Sequence, residues 1–576
     1  MTARTIASRW TTCTASCLIA IWLVGCQGEN LPSPEPGETP GTTEQPAEDR
    51  ASSLSNGVAE AGRCAAPPAS GPDLEAADAW TSWGGNVENH RARGPERTRL
   101  NAGVMEELEV EWAFVVPEVQ TMRSQPVVAG EWLFLAGLDG VLRALDAERG
   151  CLIWEKTIGT LLGAALTLHR LGDGTPVVIA GDWEARVHVV EAVGGERLWH
   201  RNLSEHELAR ISGAPAAYDG TLYVPVSSGE SEVVEPEYEC CTFRGQVHAL
   251  DAADGSLRWT YRTIDEEPTP RGEDAAGATR YGPSGAAVWS AITIDPDRWR
   301  LYFGTGNNYS NPPTETSSSI HAVDMDTGER AWVFQGTAGD AWMRGCWPDW
   351  RGEVEIDDTN CPEDHGPDED FGAAPLLVTG ADGRERLIVG QKSGLVRALD
   401  PDADGEVLWE TRVGRGGPVG GVHLGMAVAD DRIIVPVLDR YDGLEHEREA
   451  EPGVMALDAA TGEVLWRTPA LEGICGDRDG CFPGFSAPAT VLPGAAVVGS
   501  LDGTLQAFAL EDGRRLWTFD TVRDFETVNG VPGRGGAMGG AGPVVTRNRI
   551  YLVSGYWAFA GNMPGNVLLS LAPPTQ

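Results

Sequence analysis

One phrase recurs along the chain and constrains its fold more than any other feature. It reads VLRALDAERGCLIWEK at 141–156, VHVVEAVGGERLWHR at 187–201, VHALDAADGSLRWTY at 247–261 and IHAVDMDTGERAWVF at 320–334. It returns as VRALDPDADGEVLWET at 396–411, VMALDAATGEVLWRT at 454–468 and LQAFALEDGRRLWTF at 505–519. Each copy is a strand, a tight Asp/Gly turn and a second strand carrying tryptophan, the pattern of a β-hairpin. A further strand precedes each copy, as in WLFLAGLDG and GAAVVGSLDG, and four strands per unit make a propeller blade. Trp112 in LEVEWAFVV has the end of a blade without its beginning, which lies near the C-terminus in RIYLVSGYWAFAG and NVLLSLA. The prediction is an all-β chain: an eight-bladed β-propeller of four-stranded blades, one blade shared between the N- and C-terminal segments so that no edge is exposed. No long stretch has a 3.6-residue period, which excludes helical and two-domain α/β folds.

At 576 residues the chain is too long for one ordinary core, but not for a ring of repeated units. A formal charge of −41 disfavours nucleic acid and anionic membrane surfaces as partners. Arg4 and Arg9 ahead of the apolar run CLIAIWLVGC mark residues 1–26 as an export signal. The run ends in Leu23-Val24-Gly25-Cys26, which resembles a bacterial lipobox. That resemblance implies a lipid on Cys26 and a protein tied to the cell envelope, at the outer membrane facing periplasm or exterior, through that anchor alone. Residues 27–63 are a polar, Pro-rich acidic tether expected to be disordered, and 64–576 the propeller. Of eleven cysteines, Cys13 and Cys17 belong to the signal and Cys26 ends it. The eight that remain suit disulfides in an exported protein. Neighbouring loops suggest Cys346 with Cys361 and Cys475 with Cys481, Cys240 and Cys241 are adjacent, and Cys64 with Cys151 is left over. Spacing alone leaves the connectivity open.

The interval between blade tryptophans grows from 45 residues (Trp154 to Trp199) to 77 (Trp332 to Trp409), so the middle blades carry loops the ring does not need. Long loops on a rigid scaffold tend to hold function. These loops contain Glu230 in VPVSSGESE, Trp289 in GAAVWSAITID, Asn307 in FGTGNNYS and Lys392 in GQKSGLVRALD. With WGGNVENHR (83–91), CCTFRG (240–245), GTGNNYSNP (304–312) and GRGGPVGGVHLGM (414–426), they resemble the pyrroloquinoline quinone (PQQ) alcohol dehydrogenases, in particular the polyvinyl alcohol dehydrogenase branch. The resemblance implies oxidation of an alcohol substrate by hydride transfer to PQQ beside Ca²⁺. It places Trp289 flat against the quinone, Glu230 and Asn307 on calcium, and Ser212 against the cofactor. Arg244 and Lys392 are then cations near the quinone, and Asn308 is the turn residue. No C-x-x-C-H haem motif is present, so a separate basic cytochrome c is the expected electron acceptor.

The match departs from the family in two places. Met343 stands where the family's base aspartate is expected, leaving Asp340 as substitute base or calcium ligand and Asp349 as a second candidate. If neither reaches the quinone, cofactor binding without ordinary turnover is expected. The vicinal pair Cys240 and Cys241 follows the Glu230 loop, where it can cover the quinone from that side. DFETVNGVPGRGG (524–536) lacks the helix and lysine of a phosphate-binding loop; the resemblance instead makes Asn529 a cofactor contact and His423 a pocket-lining residue. Two rivals stand beside the enzyme. One is a quinone-free propeller lipoprotein serving as a protein-binding scaffold in outer-membrane assembly. The other is a glycan- or peptide-binding ring, hinted at only by the aromatics of GCWPDW (345–350).

Overall fold

A computed structural model describes residues 62–574 except 205, 236, 275, 347–359 and 558–560. The signal, the lipid-anchor cysteine, nearly all of the tether and Asp349 lie outside the described residues. Eight four-stranded antiparallel blades follow one another around a ring, as the repeat predicts. In each, the first strand is innermost and the tryptophan strand outermost; blade 1, for example, comprises Val127–Ala129, Trp132–Ala136, Val141–Asp146 and Leu152–Thr157. Blade 8 takes three strands from the C-terminal segment (Val544–Val545, Ile550–Ser554 and Val567–Ala572) and its outermost from Glu109–Val115. That pairing, with Trp112 opposite Ser570, closes the ring. No helix among the described residues is long and apolar enough to cross a membrane.

The repeated phrase is explained by one contact. The indoles of Trp112, Trp154, Trp199, Trp259, Trp332, Trp409 and Trp466 lie on the turn glycines Gly150, Gly195, Gly255, Gly328, Gly405, Gly462 and Gly513 of the next blade. A Cβ at any of these glycines would come within 2.4–2.9 Å of the indole or an adjoining side chain. All seven adopt φ of 69–76°, where a side chain is strained in any case. Five of the indoles also donate Nε1–H to a carbonyl of the next blade, as Trp409 does to Ala459. Trp517 is the exception, because the shared blade has chain segments from both ends where the turn would be. There the short helix Ala102–Glu107 packs against Arg515–Asp520 instead.

Residues 80–93, which include the WGGNVENHR motif, wind around the inner strands at the axis. Trp80 exchanges backbone hydrogen bonds with Val128 of blade 1, and Thr81, Val87, Glu88 and His90 accept from Leu168, Ile294, Leu377 and Val428 of blades 2, 4, 5 and 6. Arg91 accepts from Val491 of blade 7, and its buried guanidinium donates to the Pro543 carbonyl beside blade 8. One extended segment thereby gathers the inner strands of the ring. All four disulfides suggested by the cysteine spacing are present: Cys64–Cys151, Cys240–Cys241, Cys346–Cys361 and Cys475–Cys481.

Gly462→Ala, which forces a methyl group against Trp409 at positive φ, should lower stability by about 1–3 kcal/mol, read as the denaturant midpoint. An unchanged midpoint would show that the indole yields without cost.

Candidate active site

The site is built on a positional rule. The residue four places before the innermost strand is Arg123 in blade 1, Gly163 in blade 2, Ser212 in blade 3 and Trp289 in blade 4. It is Gly372 in blade 5, His423 in blade 6, Ser486 in blade 7 and Gly540 in blade 8. Six of these eight line one axial cavity with Trp83 of the winding segment beneath. Among them only Trp289 is large and flat, and glycines at three other places leave room around it. A Cβ on Gly372 would lie 1.8 Å from the indole, so the ring rests directly on that backbone. His423 meets Trp289 edge-on at 5.8 Å and is itself held through Nδ1 by Ser486 Oγ at 2.6 Å. Burial, then Lys392 and Arg123, lower the His423 pKa to about 3, so this imidazole is neutral.

The loops above bring carboxylates to the indole. Trp289 Nε1 donates to Asp370 Oδ2 at 3.1 Å, and the Asn307 backbone N–H donates to Asp370 Oδ1 at 2.8 Å. Lys392 Nζ sits 2.8 Å from Asp368 and 3.7 Å from Asp370, and its backbone N–H donates to the Asp370 carbonyl. Burial alone would lower the lysine pKa, but Asp368 and Asp370 outweigh it and hold the ammonium above its ordinary range.

Asn307 and Asn308 are used differently. Asn307 spends Nδ2 on the carbonyls of Asn308 and Trp342, which leaves Oδ1 without a protein donor among the described residues. Asn308 spends both ends of its amide, Nδ2 on Ser284 and Oδ1 on Thr314. Glu230, fully buried, accepts from Thr242 N and Tyr238 Oη at Oε1 and from Phe243 N at Oε2, with His206 Nε2 3.3 Å from Oε1. The sulfurs of Cys240 and Cys241 lie within 4.8 Å of its carboxylate. Ser212 lines the axial cavity, its Oγ bonded to Ser227 Oγ at 2.5 Å.

Three expected site residues are engaged elsewhere. Asp340 accepts from Asp368 N at Oδ1, and from Glu369 N and Ser318 Oγ at Oδ2, so both oxygens clasp the 366–371 loop. Burial and then Asp370 raise its pKa to about 6. Arg244 does not join Lys392; its guanidinium binds the carbonyls of Ile264, Asp265 and Glu266 and the Glu267 carboxylate. Asn529 spends its amide on the N–H and C=O of Val115, fastening the closing strand. Met343, where an aspartate was expected, packs its sulfur 3.8 Å from Cys241 Sγ. The sequence reading missed Asp370, Asp368 and Arg123. The signal lies in DEDFGAAP, which precedes a blade's first strand as VWSAI does.

Comparison with known proteins marks the chain as an oxidoreductase propeller. The family model described as "Glucose/ethanol/alcohol dehydrogenase, beta-propeller domain" matches residues 198–344, and that described as "Outer membrane protein assembly factor BamB" matches 316–442 and 392–552. The chain is 35% identical to a polyvinylalcohol dehydrogenase of a Pseudomonas species, over 87% of this chain and 78% of that one. It is 34% identical to the polyvinylalcohol dehydrogenase of a Sphingopyxis species, over 86% and 75%. A crystal structure of quinohemoprotein alcohol dehydrogenase from Comamonas testosteroni superposes with a TM-score of 0.61 at 17% identity, covering 87% of this chain and 81% of that one, a likeness of fold. The chain belongs to the polyvinyl alcohol dehydrogenase family.

Gly372→Ala should displace the Trp289 indole and shift its emission, isolated as the difference spectrum against Trp289→Phe. An unchanged difference spectrum would refute the contact.

Proposed function

We propose that this protein oxidises a secondary alcohol carried on a polymer, using PQQ and Ca²⁺ held over Trp289. The observation that carries the reading is the meeting of Trp289, Asp370, Lys392 and the free Oδ1 of Asn307 at the ring axis, in a chain 35% identical to a polyvinylalcohol dehydrogenase. The donor set fits the cofactors. Asn307 Oδ1 and the Glu230 carboxylate offer hard oxygen ligands suited to calcium. Trp289 offers a partly exposed flat face for an aromatic ring system. Arg123 and Ser212 at the cavity wall suit the carboxylates of the quinone.

When bound, PQQ supplies a hydride-accepting carbonyl and calcium polarises it. The chain's own contribution is orientation and proton handling. Asp370, fixed by Trp289 Nε1 and Asn307 N–H and facing the Lys392 ammonium, takes the substrate hydroxyl proton on a carboxylate oxygen. Lys392 keeps positive charge beside the developing negative charge. Asp340 acts through the loop it clasps, as a positioning residue. The Cys240–Cys241 disulfide, packed on Met343, walls the site beside Glu230. A scaffold serving outer-membrane assembly has no use for this combination. Export through residues 1–26, lipid on Cys26 and electron delivery to a basic cytochrome c complete the reading.

Titration of the full-length protein with PQQ and Ca²⁺ should quench tryptophan emission in a calcium-dependent way that disappears in Trp289→Ala. Asp370→Asn should keep that quenching and lose about 10²- to 10⁴-fold in dye-linked oxidation of polyvinyl alcohol. No calcium-dependent binding would sink the quinoprotein reading, and full activity in Asp370→Asn would remove Asp370 as the base. Cytochrome c reduction should slow steeply with added salt, and a salt-independent rate would refute electrostatic docking.

A further inference from the structure

A second cleft, of about 520 Å³, opens at the seam between blades 2 and 3, and nothing in the oxidation chemistry calls for it. Its wall is the face of blade 3 formed by Gln246 and His248 on Gln246–Asp251 and by Thr260 and Arg262 on Leu257–Arg262, paired across the hairpin. Asn202, at the end of Arg197–Asn202, faces it from blade 2.

The hydrogen bonds in this wall fix which groups remain for a ligand. His248 bonds Gln246 Oε1 through Nε2 at 2.8 Å and Thr260 Oγ1 through Nδ1 at 3.0 Å. Because the Gln246 partner atom is an acceptor, His248 carries its proton on Nε2 and Nδ1 accepts from Thr260. The Gln246 Nε2 amide group is then left with both hydrogens unused. Asn202 likewise commits Oδ1 to the Ser204 backbone N–H, leaving its NH₂. The Arg262 guanidinium is exposed and has no hydrogen-bond or ion-pair partner among the described residues. Arg244 adds a second cation, which is already held by Glu267 and three carbonyls. Burial, then Arg262 and Arg201, lower the His248 pKa to about 4, so it anchors the network as a neutral ring.

The cleft therefore offers the unused donors of Arg262, Gln246 and Asn202, and its one carboxylate, Glu267, is paired with Arg244. Planar, two-pronged donation suits a carboxylate. We infer that the cleft between blades 2 and 3 binds a small organic carboxylate, held by Arg262 with the amide groups of Gln246 and Asn202. The site is independent of the quinone reading but not remote from it. Thr242 and Phe243, which also line the cleft, are the residues whose N–H groups hold Glu230, and His206 spans from the cleft to Glu230 Oε1 at 3.3 Å.

The test is calorimetric titration of the full-length protein with succinate at ionic strength held constant with sodium chloride, with PQQ and Ca²⁺ added. Saturable binding is expected, weakened by about tenfold or more in Arg262→Gln. Arg262 is exposed, so that variant should keep the wild-type unfolding temperature. Asn202→Ala gives an independent second reading and should weaken binding less. No saturable heat, or equal affinity in Arg262→Gln, would overturn the proposal. Equal binding of the neutral diol 2,4-pentanediol at the same site would overturn it too, by making the cleft a hydroxyl subsite.

Discussion

Seven of the eight blade tryptophans rest on the turn glycine of the next blade, and the rest of the structure depends on that contact. The glycine is required twice, for its positive φ and for the missing Cβ. The contact recurs around the ring and sets each blade's angle to the next. The axis is thereby a fixed frame, and residues at the same blade position meet there although they are hundreds of positions apart in sequence. Where the contact is missing, at the shared blade, other devices take over: the Ala102–Glu107 helix and the Asn529 amide gripping Val115.

The frame accounts for the site. Eight residues occupy one equivalent position, and the chemistry follows from which of them are large. Trp289 lies flat because Gly372 lets the backbone pass directly against it. His423, stripped of its proton by burial and by nearby cations, supports the indole edge without adding charge. The loops above need only deliver groups to a floor that is already rigid, and the DEDFG loop does so with Asp370, fastened to Trp289 and Asn307 on one side and Lys392 on the other. Both carboxylate oxygens of Asp340 accept backbone N–H groups of that loop.

The candidate site was legible in part. Trp289, Glu230, Asn307 and Lys392 stood out because they sit on loops longer than a blade needs. Asn308, expected as a turn residue, instead begins the strand Asn308–Ser310, and the hydrogen bonds distinguish it from Asn307: the Asn308 amide is spent at both ends while Asn307 keeps an oxygen free among the described residues. Asp370 was missed because a carboxylate's use depends on what its loop packs against, and an acidic loop in a chain of net charge −41 looks like solvated surface. Arg244 and Asn529 were drawn to the site by neighbouring motifs, but backbone carbonyls and N–H groups within reach claimed their side chains first.

The sequence by itself determined the ring: the number of blades, the order of strands and the blade completed from both ends. These are periodic and local, so each copy of the phrase confirms the others. Only the tertiary structure decided which side chains share the axis, which carboxylates clasp loops and which remain for chemistry. Hydrogen-bond partners are assigned by distance in space, and residues such as Trp289, Asp370 and Lys392 come within reach of one another only once the ring has closed.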